Sequence, residues 1–315
     1  MPHFRNNPKQ MKSPNFLIGG CAASGTSFLS AILLQHPRVY LPSEMRPEPH
    51  FFYKSWEYEK GWDYYLTRWF AQVPEHCVAV GERSSSYLYG GRRVAQKMAR
   101  HVPDLKHVFV IRNPIERTWA NYRYTVLEGL EELSFDDALH QEHDRVRSAK
   151  GRWAEIQPHD YTGRGFYGRQ LSEFMEFFPK SQIMVMKSEE LAKDPAGSVE
   201  KLLHFLEVPS ESWQFELPST YTSMSVNSPV KQVELRSALG TRFDELIELL
   251  RIGGVDAELP CSRHEKPLVE ELRQNLAVSK LDMSLESRTY LRNIFSDDIA
   301  LLRDLVDFDV AGWLN

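Results

Sequence analysis

The segment from Phe16 to Gln35 constrains the fold more than any other. Phe16-Leu17-Ile18 is a short apolar run that stops at Gly19-Gly20. A run this short, ended by glycine, reads as a buried strand. Thr26 to Gln35 then places Phe28, Leu29, Ile32 and Leu33 at the spacing of a helix with one buried face. Between them lies Gly20-Cys21-Ala22-Ala23-Ser24-Gly25-Thr26-Ser27. A strand, a glycine-containing loop and a helix in succession point backbone N–H groups at an anion, and the positive end of the helix dipole adds to the attraction. The spacing matches G-x-x-x-x-G-K-[ST], except that Thr26 stands where the lysine belongs. That lysine reaches the outer phosphates of a triphosphate, so its absence argues against a nucleotide hydrolase. An anion nest with two hydroxyls, Thr26 and Ser27, remains. The plain alternative is a strand–turn–helix that needs glycine only for its geometry, and the loop alone leaves both open.

Further apolar runs follow at Val78-Ala79-Val80, Val108-Phe109-Val110-Ile111 and Ile183-Met184-Val185-Met186. Helical patterns lie between them, roughly over 91–101, 114–128, 135–148 and 166–178. Strands alternating with helices predict an α/β fold with a central parallel sheet flanked by helices and a P-loop-like phosphate-binding loop. Residues 218–232, rich in serine, threonine and proline, read as a loop, and 268–307 as a C-terminal helical pair. The expected organisation is a flexible N-terminal tail over 1–14 and a single domain over 15–315.

Composition narrows the classes. Hydrophobic residues make up 42% of the 315, enough for a sizeable core. The net charge of −5 disfavours nucleic acid as the main partner, because phosphate neutralisation needs a basic surface. No run reaches the roughly 18 apolar residues of a spanning helix. Met1 to Pro14 is polar and lacks the apolar stretch of a secretory signal. Cys21, Cys77 and Cys261 are too few and too scattered for a disulfide framework or a zinc site, and read as thiols in a reducing compartment. The expectation is therefore a cytoplasmic protein with no membrane span, no metal and no nucleic-acid partner.

A second anchor runs from Val110 to Tyr122. The apolar run at 108–111 leads into Arg112, Asn113 is placed to cap the next helix, Pro114 suits its first turn, and Glu116 falls where a capping box needs it. Arg112 is thus delivered to the C-terminal edge of the sheet, where open α/β folds bind ligands, and a guanidinium there can grip a phosphate bidentately. A surface ion pair is the alternative for Arg112. For Arg117 a solvated helix face is the preferred reading.

These segments together resemble the sulfotransferase family that includes the heparan sulfate sulfotransferase domains and many bacterial relatives. Phe16 to Leu29 is similar to the family's 5′-phosphosulfate loop, with Gly25-Thr26-Ser27 in place of G-T-T. Arg46-Pro47-Glu48-Pro49-His50-Phe51-Phe52 resembles the K-E-P-H-F-F segment that carries the catalytic base. Gly81-Glu82-Arg83-Ser84-Ser85-Ser86-Tyr87-Leu88 resembles G-E-K-S-P-S-Y-L, and Arg112 to Tyr122 resembles the R-N-P-V-D-R-A-Y-S-H-Y helix that holds the 3′-phosphate. Gly165 to Leu171, Phe178-Pro179 and Ser188 to Leu191 resemble the G-x-Y, Q-L, F-P and S-E-D-L stretch. The matches cover most of residues 15–208, in order.

The resemblance implies an enzyme that moves a sulfuryl group from 3′-phosphoadenosine 5′-phosphosulfate to a hydroxyl or amine acceptor (carbohydrate, lipid or small molecule), releasing 3′-phosphoadenosine 5′-phosphate. Ser24, Gly25, Thr26 and Ser27 would hold the 5′-phosphosulfate and Arg112 the 3′-phosphate, across the C-terminal strand edges. Glu48 would be the base, with an ordinary solvated glutamate beside prolines as the alternative. His50 would assist it, or be a packed core residue. Two positions depart from the family pattern. Ala23 replaces the usual basic residue two positions before the loop glycine, the one that neutralises the leaving phosphate, and Ala120 replaces a serine of the 3′-phosphate helix. Arg83, just past the run at 78–80, is the expected substitute cation, with Arg46 and Lys54 behind it. An ion pair with Glu82 or another carboxylate is its alternative. Arg164 and Tyr167 border the nucleotide or, for Tyr167, pack in the core. Trp56, Trp62, Tyr64 and Tyr65 line an acceptor cleft or, at that density, the core. Two rival readings stay open: a non-catalytic nucleotide-binding relative, favoured by Ala23 and Ala120, and a P-loop kinase, disfavoured by Thr26.

Overall fold

The apolar runs form strands because parallel neighbours pair their edges and helices cover their faces. The computed structural model describes residues 12–43, 47–209, 213–218, 224–277 and 282–314. Its strands are β1 (Phe16–Gly20), β2 (Val39–Tyr40), β3 (Ala79–Arg83), β4 (Lys106–Ile111), β5 (Ile183–Lys187), β6 (Ser225–Val226) and β7 (Leu276–Ala277). Its helices are α1 (Thr26–Leu33), α2 (Ser55–Tyr58), α3 (Trp62–Phe70), α4 (Gly91–His101), α5 (Pro114–Leu127), α6 (Phe135–Ser148), α7 (Trp153–Ile156), α8 (Tyr167–Met175), α9 (Ser188–Lys193), α10 (Pro195–Phe205), α11 (Pro229–Leu239), α12 (Thr241–Gly253), α13 (Lys266–Asn275) and α14 (Leu285–Arg303).

The described residues fall into two compact units. The first takes the chain up to Cys21, Gly25–Ile111 and Gln170–Glu216; the second takes Ala22–Ser24, Arg112–Arg169 and the chain from Leu217 onward. The first holds the five-stranded sheet, in the order β2-β3-β1-β4-β5, with every pairing parallel. All residues of β1 and β3 are buried, and all of β4 but Lys106, as a sheet covered on both faces requires. One face carries Ile18, Val108 and Val110 into a core with Leu29, Ile32 and Leu33 of α1 and Val199, Leu202 and Leu203 of α10. On β3, Gly81 is required by close approach: a Cβ there would lie 2.5 Å from the Phe16 carbonyl oxygen and 2.6 Å from its ring.

The strand expected at 78–80 is displaced. It begins at Ala79 and continues through Glu82 and Arg83, so Arg83 is the last residue of β3 rather than a residue beyond it. The reason is pairing, not hydrophobicity: Gly81, Glu82 and Arg83 lie in register with Phe16, Leu17 and Ile18. Residues 1–11 of the expected tail lie outside the described residues. At its end, Lys12 Nζ donates to the carbonyls of Pro74, Glu75 and Cys77 at 3.3, 2.7 and 2.9 Å.

In the second unit α5 packs against α11 and α14. Asn113 caps α5 by accepting from the Ile115 amide, with Pro114 in the first turn, while Glu116 accepts from Arg288 at 2.7 Å. Part of the expected 218–232 loop is ordered structure. Val226 pairs antiparallel with Leu276, and α11 begins at Pro229, with the Ser228 side chain accepting from Lys231 N. The Ser-Pro pair read as a loop signal is a helix start. Residues 219–223 lie outside the described residues. The C-terminal helices are α13 and α14.

Candidate active site

The first unit brings Ser27, Glu48, His50 and Arg83 together. β1 delivers the loop, and Gly25 caps α1 at φ 96°, a left-handed conformation that glycine adopts without a Cβ penalty. Thr26 is buried and Ser27 half-buried at the first turn. Arg83, at the end of β3, donates from Nη1 to Ser27 Oγ at 2.9 Å and to Glu48 Oε1 at 2.5 Å. The other carboxylate oxygen of Glu48 accepts from Ser85 N and Ser85 Oγ, both at 2.8 Å, and lies 3.2 Å from His50 Nε2. The segment that carries Glu48 is thus fastened to β3 and the residues after it.

The electrostatics favour an ionised Glu48. Burial alone would raise the Glu48 carboxyl, but the charges of His50 and Arg83 and the two bonds from Ser85 outweigh it and hold the group below its ordinary value. One strand position before Arg83, Glu82 is pushed up to about 7 by burial, partly offset by hydrogen bonds from Tyr87, Ser84 and Tyr65. The expected alternative for Arg83, an ion pair with a carboxylate, is realised with Glu48 rather than with Glu82.

The aromatic residues divide. Tyr65 is fully buried and stacks on Phe51 at 4.3 Å. Trp62 stacks on His101 at 4.7 Å. These belong to a core behind the Glu48 segment, while Tyr64 is exposed and Trp56 half-buried beneath Lys54, 5.9 Å away. Arg46 lies outside the described residues.

The second unit holds Ala22–Ser24 and Arg112. Ala23, at φ 64°, is exposed. Ser24 is buried, and its Oγ has no hydrogen-bond partner among the described residues. Arg112 is half-buried, and no carboxylate among the described residues pairs with it. Its charge is felt by Arg123, whose guanidinium is lowered first by burial and then by Arg112. Arg123 Nη2 donates to the Met224 carbonyl at 3.1 Å. The reading of Arg117 as a solvated residue is overturned: it is fully buried and donates to Asn121 Oδ1 at 2.9 Å, to Thr118 Oγ1 at 3.2 Å and to the Tyr161 carbonyl. Period alone could not place it, because α5 is covered on several sides. Arg164 is buried and donates to the Ile156 carbonyl at 2.6 Å, and Tyr167 is fully buried in packing.

Motif and spacing give no role to Ser85 or Arg123 and offer Glu82 only as an ion-pair partner for Arg83. Ser85 and Glu82 sit in the 81–88 segment beside Arg83, and Arg123 stands three residues after Ala120, on the same helical face. Those neighbours are the signal that could have found them.

Among the described residues no group of three or more His, Cys, Asp or Glu side chains is placed to hold a metal ion, and no helix is long and apolar enough to cross a membrane. The chain is 28% identical over 206 residues to human heparan sulfate glucosamine 3-O-sulfotransferase 6, covering 64% of this chain and 54% of that protein. It is 27% identical over 201 residues to human bifunctional heparan sulfate N-deacetylase/N-sulfotransferase 2, covering 61% of this chain and 22% of that protein. It therefore spans about half and about a fifth of the length of these two relatives. A crystal structure of a sulfotransferase from Alicyclobacillus acidocaldarius superposes with a TM-score of 0.68 at 25% identity, covering 96% of this chain and all of that one. The sulfotransferase domain model matches residues 13–246, and the chain belongs to the sulfotransferase family.

Proposed function

We propose that this chain transfers a sulfuryl group from 3′-phosphoadenosine 5′-phosphosulfate to a hydroxyl or amine acceptor. The observation that carries the reading is the bonded series Ser27–Arg83–Glu48–His50: a phosphate-loop hydroxyl, a cation, a carboxylate and an imidazole within hydrogen-bond reach of one another. The residues of the loop fit a bound anion. Ser24 has a buried hydroxyl without a partner among the described residues, and Thr26 and Ser27 open a helix whose first amides have no partner within it. Arg112, paired with no carboxylate among the described residues, suits the 3′-phosphate. Arg123, three residues beyond Ala120, is the cation that takes the place of the missing serine hydroxyl.

The donor supplies a sulfuryl group on a phosphate leaving group, so the sulfur–oxygen bond to phosphate breaks as the bond to the acceptor forms. Glu48 takes the acceptor's proton. Held ionised, it is available throughout the neutral range; as a weak base it takes the proton only when bond formation has made the acceptor acidic. Arg83 meets the charge growing on the bridging oxygen, the role that Ala23 cannot fill. Because one guanidinium carries both contacts, the base and the cation are set in a common geometry before reaction.

We also read 15–315 as one domain, because the chain passes between the two units at 21/22, 24/25, 111/112, 169/170 and 216/217, leaving neither unit as a continuous segment.

Thermal unfolding with each nucleotide tests the reading. The bisphosphate product, at a hundred times its dissociation constant, should stabilise the native state by about 2.7 kcal/mol, and labelled sulfate should leave the donor. A shift with ATP and none with the bisphosphate would refute it. A bisphosphate shift without any sulfate release, even with a panel of carbohydrate, lipid and phenolic acceptors, would support the non-catalytic relative instead.

A further inference from the structure

Glu82 takes no part in the chemistry just described, yet it is expensive where it stands. It is a carboxyl with 0% exposure inside the sheet, facing away from Arg83 by strand alternation. An apolar side chain would fill the place without the cost of desolvating an acid. Three hydroxyls converge on it instead. Tyr65 and Tyr87 donate to Oε1 at 3.0 and 2.6 Å, and Ser84 Oγ donates to Oε2 at 2.9 Å. Ser84 Oγ in turn accepts from His50 N at 2.7 Å.

A serine hydroxyl has one proton. Ionised, Glu82 accepts that proton in a hydrogen bond; protonated, it donates its own to one serine lone pair; in either state a serine lone pair is left to face the His50 amide. His50 needs such a hold, because its φ of 48° is left-handed, a region that non-glycine residues rarely occupy. The same tyrosines grip the base segment a second time: Phe51 stacks on Tyr65 at 4.3 Å and Phe52 meets Tyr87 edge-on at 5.8 Å. What this holding delivers is His50 Nε2, 3.2 Å from Glu48 Oε2.

We propose that Glu82 is a positioning residue for the catalytic base: through the Ser84 hydroxyl it holds His50 in its left-handed backbone and so against Glu48. The catalytic part of this statement rests on Glu48 being the base; the positioning part does not. Ser84→Ala removes the link and leaves Tyr65, Tyr87 and Glu82 in place. Ser84→Thr keeps a hydroxyl, and Glu82→Leu removes its carboxyl partner.

Amide exchange followed by NMR reads the positioning without any turnover. In Ser84→Ala the His50 amide should exchange about tenfold faster, the loss of one hydrogen bond, while amides of β1 and β4 keep their rates. The Glu48 carboxyl should titrate higher as the His50 charge moves off. Turnover of labelled donor should fall about tenfold with bisphosphate affinity unchanged, and Ser84→Thr should restore all three quantities. Glu82→Leu, which leaves the Ser84 hydroxyl without that partner, should follow Ser84→Ala. A merely structural Glu82 would lower global stability and leave folded-state turnover and His50 exchange untouched. Unchanged His50 exchange in Ser84→Ala overturns the proposal, whether or not the protein turns over donor. Altered exchange with no donor turnover in the wild-type protein would uphold the positioning and remove the base assignment.

Discussion

Replacing Arg83 by alanine should separate binding from chemistry. The guanidinium is 9% exposed and makes two polar contacts, 2.5 Å to a carboxylate that is itself 13% exposed and 2.9 Å to the Ser27 hydroxyl. At that burial the carboxylate bond falls in the charged class, about 1.5–3 kcal/mol. Glu48 keeps Ser85 and His50 as partners, which limits the loss to that range rather than the larger cost of a stranded charge. The sign of the pH dependence follows. Glu48 titrates below its ordinary value in the folded chain, so its stabilisation is complete above the unfolded value near 4.5 and is lost as pH falls through the lower folded value. The gap between wild type and Arg83→Ala in urea melts should be widest at neutral pH and close in acid, where Glu48 is protonated in both. The catalytic effect should be larger. Removing a donor aimed at transition-state charge costs about 10²–10³ in turnover, whereas bisphosphate affinity should change by less than about tenfold, because the lost contacts are internal to the protein. The assay is release of labelled sulfate from the donor alongside calorimetric titration of the bisphosphate. Wild-type turnover in Arg83→Ala would refute the assignment of Arg83 as the replacement cation.

Installing a cation at the family position, Ala23→Lys, should change turnover little in the wild-type background and partly rescue Arg83→Ala; turnover absent in wild type and present in Ala23→Lys would mark a chain that binds without reacting. Arg112→Ala should weaken bisphosphate binding by roughly 1.5–3 kcal/mol without unfolding the chain, with unchanged calorimetric affinity counting against a phosphate role. Arg117→Ala should lower stability by about 2–4 kcal/mol, since a fully buried guanidinium leaves three acceptors behind; an unaltered urea midpoint would show that these contacts are dispensable. Glu82 keeps its proton up to about 7 in the folded chain against 4.5 unfolded, so stability should fall by about 3 kcal/mol as pH rises across that window. Glu82→Gln should flatten the slope, and equal slopes in mutant and wild type would show that Glu82 is ionised when folded.

The periodic parts of the chain are legible in the sequence. β1, its loop and α1 follow from an apolar run, glycines and helical spacing that lie next to one another in the chain, and α5 follows from Asn113 and Pro114 at its start. Segments whose state depends on distant partners are not legible in this way. Glu82 and Arg83 are strand residues because Leu17 and Ile18 pair with them, and no local rule puts a buried acid in a sheet. Arg117 reads as solvated by spacing and is buried because Asn121, Thr118 and Tyr161 satisfy its donors. Ser228-Pro229 carries the same letters as a loop and a helix cap, and only the helix behind it decides between them.

The sequence alone set the fold class, the glycine loop between β1 and α1 and the two departures at Ala23 and Ala120, because each is written in residue types at short spacing. The tertiary structure alone decided which charges meet. Arg83 reaches Glu48 across 35 residues and Ser27 across 56, and His50 is held by Ser84 across 34. Hydrogen bonds and ion pairs act over a few ångströms of space, so their partners are set by strand order and register, which bring into reach residues that the chain keeps far apart.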